Sequence, residues 1–569
     1  MFPLSAPQQI IWLQHQMLPE SRAYYSTAVV GFHGEIDPAL LRKCVTGAVD
    51  RNDAFRLRLC DVNTPIAYQE VVEVDFDIPE YDLRGAEDIE ERRTELLQRQ
   101  MHTEFDLHAA PLVRWTLVRL ADDHWQLFMT EHHLVHDGRS TVAFLGDVIE
   151  QYAAEAAGRP FVAKDAPTYQ DYVAYTTSDE YLEMIGSAIE WWIENLDGAT
   201  FNVDFPTLGT QRSGLFDYRG GQYRQSLSAE LMAGVRAAAQ QSGHTVFAAM
   251  LAVYGELCRR HSGQDDLVIG IPLANRPAEF ASTVGMMVNT VPVRLAIDPS
   301  TPAGEVGLDA MVSLFDAVDH EAAPVQDLVK ALGLGGKGLD NPLFNVTFGM
   351  HDQPFPDVDV PGLSVDMQVA LSTNSARFDL SVFVTPANVL HGGDGDCGYE
   401  LNWDYSTQRF GPEDAERLAS GFEALLLAYA THPLDPIGTL ALDTVAPPVR
   451  IRHVEGDRVT DGAAPVTGGA GDEIRPTSAD NCEQRAESPW LQAFRDILEH
   501  DDIDQDTDFF QAGGYSLLVP MLLSRYESLS GWRPPTSLLF EFSSPILLEA
   551  ASAERRQAER RPAEVGVER

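Results

Sequence analysis

His132-His133-Leu134-Val135-His136-Asp137-Gly138 follows directly on Pro111 to Glu131 (PLVRWTLVRLADDHWQLFMTE), where two runs rich in Val, Leu, Trp and Phe flank Ala121-Asp122-Asp123. β-Branched and aromatic runs on either side of a polar turn predict a β-hairpin whose second strand runs into the histidines. Side chains alternate along a strand, so His132 and His133 face opposite sides and only one of them meets a given cavity. Asp137 lies four residues beyond His133, and Gly138 lets the backbone turn tightly just after it. This suits a loop that carries one imidazole to a channel while the carboxylate braces the loop. A metal site drawn from His132, His133, His136 and Asp137 is the competing reading. It ranks lower, because adjacent ligands on opposite faces do not converge and no helical His-x-x-x-His supplies a one-face zinc geometry.

Outward from this stretch, the chain up to about Asp443 alternates strand-like and helix-like segments, including the apolar helical repeat of Leu418, Phe422, Leu425 and Leu426 within Ala415 to Tyr429. That pattern predicts an α/β body. From Thr444 to Glu487 the composition turns to Pro, Gly, Ala, Asp and Thr, which cannot bury enough apolar surface to order itself and reads as a linker. Ser488-Pro489 then offers an N-cap and first helical residue, and Trp490, Leu491, Phe494, Ile497 and Leu498 fall on one face. A small helical domain is expected there.

The chain has 569 residues, with 86 acidic against 41 basic residues and a formal charge of −45. Such a length holds two to four domains with real cores. The charge disfavours a nucleic-acid footprint, since the only arginine-rich stretch, Arg555-Arg556 to Arg560-Arg561, is interleaved with glutamates. Five scattered cysteines without Cys-x-x-Cys spacing fit a reducing cytoplasm. The N-terminus lacks a positive segment followed by an apolar one, and no stretch approaches the roughly 18 apolar residues of a membrane span. A cytoplasmic protein without a membrane partner is expected.

The seven-residue string resembles the His-His-x-x-x-Asp-Gly motif of the condensation domains of nonribosomal peptide synthetases. The resemblance continues in family order through Ser5-Ala6-Pro7-Gln8-Gln9-Ile10-Ile11-Trp12, Arg51-Asn52-Asp53-Ala54-Phe55-Arg56, Tyr169-Gln170-Asp171-Tyr172, Gly285-Met286-Met287-Val288-Asn289-Thr290 and Arg377-Phe378-Asp379-Leu380. It implies two lobes resembling chloramphenicol acetyltransferase, set in a V around a tunnel where carrier-bound substrates meet, with the N-lobe at 1–175 and the C-lobe at 176–443. It assigns the chemistry to His133, the second histidine, since a neutral imidazole near pH 7 can accept or hydrogen-bond the proton of an attacking amine. Positioning of two tethered reactants carries part of the rate. His132 would pack or hydrogen-bond behind the loop, and Asp137 would brace it through Arg276 of Ala274-Asn275-Arg276. Gly138 would allow close backbone approach and offer its N–H to substrate or oxyanion, and His136 would be a variable filler. The intact histidines disfavour heterocyclisation, and Gly138 disfavours epimerisation. Arg139 and Asn52-Asp53 depart from the usual family residues, which bears on subtype and substrate.

Asp508-Phe509-Phe510-Gln511-Ala512-Gly513-Gly514-Tyr515-Ser516-Leu517-Leu518 resembles the attachment motif of peptidyl carrier domains. The resemblance implies a small four-helix bundle at 488–553, after the 444–487 linker and before a 554–569 tail, with 4'-phosphopantetheine carried covalently on Ser516. Pro520 is unusual in the following helix. The expected partners are an upstream donor carrier protein, a phosphopantetheinyl transferase, other synthetase subunits and, because no space remains for an adenylation domain, a trans-acting adenylation enzyme. The expected function is condensation of a carrier-bound acyl or peptidyl thioester with an amine, or less readily a hydroxyl, on Ser516. Two alternatives stand beside it: an acyltransferase using a free amine or alcohol, and a non-catalytic recruitment module.

Overall fold

Strands Val113–Ala121 and His124–His132 form the hairpin ahead of the paired histidines, pairing antiparallel across Asp122-Asp123. The computed structural model describes residues 1–60, 67–206, 208–209, 216–334, 341–351, 360–369, 371–391, 397–442, 444, 488–498, 503–509, 512, 519–534, 538–539 and 542–560. The hairpin is part of a five-stranded sheet ordered Ser364–Gln368, Tyr25–His33, His124–His132, Val113–Ala121, Glu80–Asp82. Trp115, Leu117, Leu127 and Met129 alternate along the hairpin into one buried cluster, the periodicity that made the hairpin legible. Helix Pro38–Arg51 joins the same core through Leu41, Cys44, Val45, Ala48 and Val49, the spacing of one helical face. Asp37 caps it by accepting the Ala39 and Leu40 N–H groups, and Pro38 stands at its first position.

A second, six-stranded sheet runs Asn289–Ala296, Asp266–Leu273, Val346–Met350, Leu380–Pro386, Tyr399–Ser406, Gly220–Leu227. Its core takes in helix Val246–Ser262 and helix Pro412–Thr431, whose Leu418, Phe422, Leu425 and Leu426 are all buried. Arg260, also buried, pairs with Glu256 at 2.6 Å and donates to the carbonyls of Ile437 and Leu440 at 3.3 and 2.7 Å. That bond set ties the end of the body to its central helix, because a buried guanidinium must be paired and hydrogen-bonded.

The change of core falls between two consecutive helices. Tyr169–Thr176 buries Tyr169, Tyr172 and Val173 in the first core, and Asp179–Asn195 buries Ala188 and Trp192 in the second. The halves are nonetheless interleaved. Strand Ser364–Gln368, far along the chain, pairs antiparallel with Tyr25–His33 and sends Val365 and Met367 into the first core, as do Phe280, Val284 and Met287.

Beyond the body, helices Pro489–Leu498, Val519–Ser530 and Pro545–Arg560 share a separate cluster containing Trp490, Phe494, Phe509, Leu523 and Leu548. Trp490 stacks on Tyr526 at 3.9 Å and donates its indole N–H to Ser552 at 3.0 Å. Pro520 is the second residue of its helix, where a missing N–H is tolerated. Ser516, the rest of the motif apart from Asp508, Phe509 and Ala512, and nearly all of the 444–487 linker lie outside the described residues. Among the described residues no helix is long and apolar enough to cross a membrane.

Candidate active site

His132 and His133 separate as alternation requires. His132 is buried, its ring edge-on to Tyr25 and Phe105 with centroids 5.4 and 6.1 Å apart, and its Nδ1 accepts the Leu134 N–H at 3.1 Å. Burial, reinforced by His15 and Arg114, pushes its pKa down to about 3, so it is a neutral packing group. His133 instead lines a cavity of about 900 Å³ that takes walls from both sheets. Its backbone N–H donates to the Tyr24 carbonyl at 2.8 Å, and its Nδ1 lies 3.1 Å from the His136 carbonyl. A carbonyl only accepts, so Nδ1 carries the proton and Nε2 keeps its lone pair. Burial, with help from Arg377 and His136, holds the His133 pKa well below the ordinary imidazole value. The ring therefore stays an acceptor at neutral pH.

Asp137 is the N-cap of helix Gly138–Ala156. Its Oδ1 accepts the Ser140 N–H at 2.9 Å and the Arg276 guanidinium at 2.8 Å, and its Oδ2 accepts the Met287 N–H at 3.1 Å. Burial alone would raise this carboxyl, but Arg276, His136 and Ser140 together hold it below the usual carboxylate range. Arg276 also donates to the carbonyls of Phe280, Thr283 and Gly285. The sequence motifs meet around this pair. Tyr169 Oη shares a hydrogen bond with Ser5 and donates to the Met286 carbonyl at 2.8 Å, while the Tyr169 and Gln170 N–H groups donate to Asp53 at 2.8 and 3.0 Å.

Gly138 departs from the expectation drawn from sequence. It is not among the glycines of positive φ, so no tight left-handed turn requires it. It begins a helix, and a Cβ there would stand 3.0 Å from His351 Cε1 on the facing wall, so a larger residue would have to push the His351 ring back. His136, expected as filler, is buried and paired with Glu131, its Nε2 2.6 Å from Glu131 Oε2. Glu131, Tyr24, His351 and the cavity-facing role of Arg377 were missed in the sequence. Glu131 was recoverable, since it shares strand parity with His133. Arg377 lies over the Tyr24 ring at 5.7 Å, and Tyr24 meets His133 edge-on at 6.4 Å. His351 reaches the site from the end of strand Val346–Met350 of the other sheet, and no local pattern announces it.

The condensation-domain pattern matches residues 1–445, and the chain belongs to that family, whose members in nonribosomal peptide synthetases form amide bonds by acyl transfer. It is similar to malpinin synthetase of Mortierella alpina, 29% identical over 437 residues, 76% of this chain and 6% of that protein. Tyrocidine synthase 2 of Brevibacillus parabrevis is 25% identical over 452 residues, 78% of this chain and 12% of that protein. The chain thus spans only a small part of the length of these curated relatives. Among solved structures, the starter condensation domain of rhizomide synthetase aligns with TM-score 0.68 at 20% identity, over 77% of this chain and 96% of that one. The first condensation domain of the calcium-dependent antibiotic synthetase aligns with TM-score 0.66 at 21% identity, over 77% and 98%. These likenesses show the condensation-domain fold.

Proposed function

We propose that the chain condenses a carrier-bound acyl or peptidyl thioester with an amine in nonribosomal peptide synthesis. The observation that carries this reading is His133: Nδ1 is anchored to a carbonyl, while Nε2 is left as a lone pair on a ring that lines a cavity walled by both sheets. In the proposed step the amine nitrogen attacks the thioester carbonyl, a C–N bond forms, and the C–S bond breaks. His133 Nε2 accepts or hydrogen-bonds the amine proton, which ends on the departing sulfur. Asp137 and Arg276 hold the loop, His132 packs behind it, and Gly138 leaves room for the His351 ring on the facing wall. A cavity of about 900 Å³ has room for extended chains, and placing two tethered reactants in it supplies part of the rate.

The finer reading takes residues 488–553 as a peptidyl carrier bundle behind a 444–487 linker, with lobes at 1–175 and 176–443 and a tail at 554–569. What supports it is the Asp508 to Leu518 motif and the aromatic cluster of Trp490, Phe494 and Phe509. A 4'-phosphopantetheine on Ser516 would supply the thiol that holds the acceptor. An upstream donor carrier, a trans-acting adenylation enzyme, a phosphopantetheinyl transferase and other synthetase subunits would complete the system in the cytoplasm.

The test is intact-protein mass spectrometry after loading Ser516 with aminoacyl-pantetheine and adding acyl thioesters. Product on Ser516 that disappears in His133→Ala is expected. Soluble product with an empty arm would favour a free acceptor, and full product formation by His133→Ala would overturn the catalytic assignment.

A further inference from the structure

Behind His133 the cavity wall holds a buried carboxylate–imidazole pair that the proposed step leaves unused. Glu131 and His133 share one face of the strand end, and His136 follows three residues later in the loop. Glu131 Oε2 lies 2.6 Å from His136 Nε2, each side chain is 2% exposed, and Thr141 Oγ1 hydrogen-bonds the same nitrogen. A carboxylate this deep is unfavourable unless it is paired, so the His136 ring is the group that makes Glu131 tolerable and is clamped in return. The backbone of that clamped residue does something else. Its carbonyl meets His133 Nδ1 at 3.1 Å, the contact that determines which ring nitrogen of His133 carries the proton. The two imidazoles lie 5.6 Å apart, and among the described residues nothing hydrogen-bonds His136 Nδ1 to turn that ring elsewhere.

We infer that Glu131 and His136 are positioning residues for His133. The Glu131 carboxylate clamps the His136 ring, the clamped residue holds its carbonyl against His133 Nδ1, and His133 is kept as the Nδ1–H tautomer with Nε2 presented to the substrates. This follows the general logic of an active-site base oriented by a third group, with the difference that the orienting carboxylate acts through a neighbouring residue's backbone. The inference takes from the condensation reading only that His133 Nε2 faces the reacting amine.

The experiment uses the full chain labelled with ¹⁵N-histidine, the ring signals of His133 being assigned by their loss in His133→Ala. Wild type should show a single Nδ1–H tautomer. Glu131→Ala should show a mixture of tautomers, and Glu131→Gln, which still accepts a hydrogen bond from His136, should restore the single form. With glycyl-loaded carrier and acyl N-acetylcysteamine thioesters, Glu131→Ala should lower kcat about tenfold to a hundredfold with KM unchanged, the scale expected for a misplaced group, and Glu131→Gln should recover most of it. Should Glu131→Ala fail to fold, His136→Asn, which keeps the carbonyl and removes the ring, is measured in its place. An unchanged His133 tautomer in the folded variant overturns the positioning role. Unchanged product formation by His133→Ala, with the tautomer still dependent on Glu131, leaves the positioning standing and overturns the condensation reading.

Discussion

The guanidinium of Arg276 stands 2.8 Å from Asp137, with side-chain exposures of 3% and 0%. The two residues come from different parts of the chain, and the bond joins the loop that follows strand His124–His132 to the segment that follows strand Asp266–Leu273. Neither charge has water to fall back on, so each depends on the other. Asp137 is thus held by contacts within the fold, while the His133 ring lines the cavity.

Asp137→Ala should lower folding stability by about 3–5 kcal/mol, because it strands a buried guanidinium and also removes a helix cap. Urea unfolding measures it. Asp137→Ala with Arg276→Ala should cost less than the sum of the single changes, since the second removes the charge that the first left unpaired.

Acid should destabilise the protein through His132. Its folded pKa of about 3 lies below the ordinary 6.5, so between those values the unfolded chain binds the extra proton. Stability is then full above pH 6.5 and falls as pH drops, by about 1.4 kcal/mol per pH unit for this group. His132→Gln should flatten the dependence when unfolding is compared at pH 7 and pH 5. Asp137 acts in a lower window: its depressed pKa keeps its contribution intact above the ordinary 3.8 and loses it only as pH falls further.

Gly138→Ala places a methyl 3.0 Å from His351 Cε1 and should displace that ring. Condensation should fall by about tenfold or more, the scale of a small misplacement in an active site, with little change in folding stability. Gly138→Ala combined with His351→Ala should recover part of the rate. Equal rates for Gly138→Ala and wild type would show that the facing wall does not shape the reacting centre.

Gly285 has φ of +155°, and a Cβ there would run into the Tyr169 ring. Gly285→Ala should therefore cost about 3 kcal/mol or more, combining backbone strain with overpacking. Loss of soluble protein or a lowered urea midpoint is the expected readout.

From the sequence alone came the hairpin, the opposed faces of His132 and His133, the Asp137–Arg276 partnership suggested by family resemblance, and the helical face of Leu418, Phe422 and Leu425. Each rests on a local period or on a motif, and local periods survive folding because they are what the fold buries. Tertiary structure decided the rest. His351 opposite Gly138, Arg377 over Tyr24, and Ser364–Gln368 laid against Tyr25–His33 join residues that no short-range pattern connects. The same holds for Gly138, read from sequence as a turn and a place of close approach: its φ is not left-handed, and the close neighbour is the His351 ring. A sequence states which groups are available to a site, but the distances that set the His133 ring on the cavity and pair Asp137 with Arg276 exist only once both sheets have closed around one cavity.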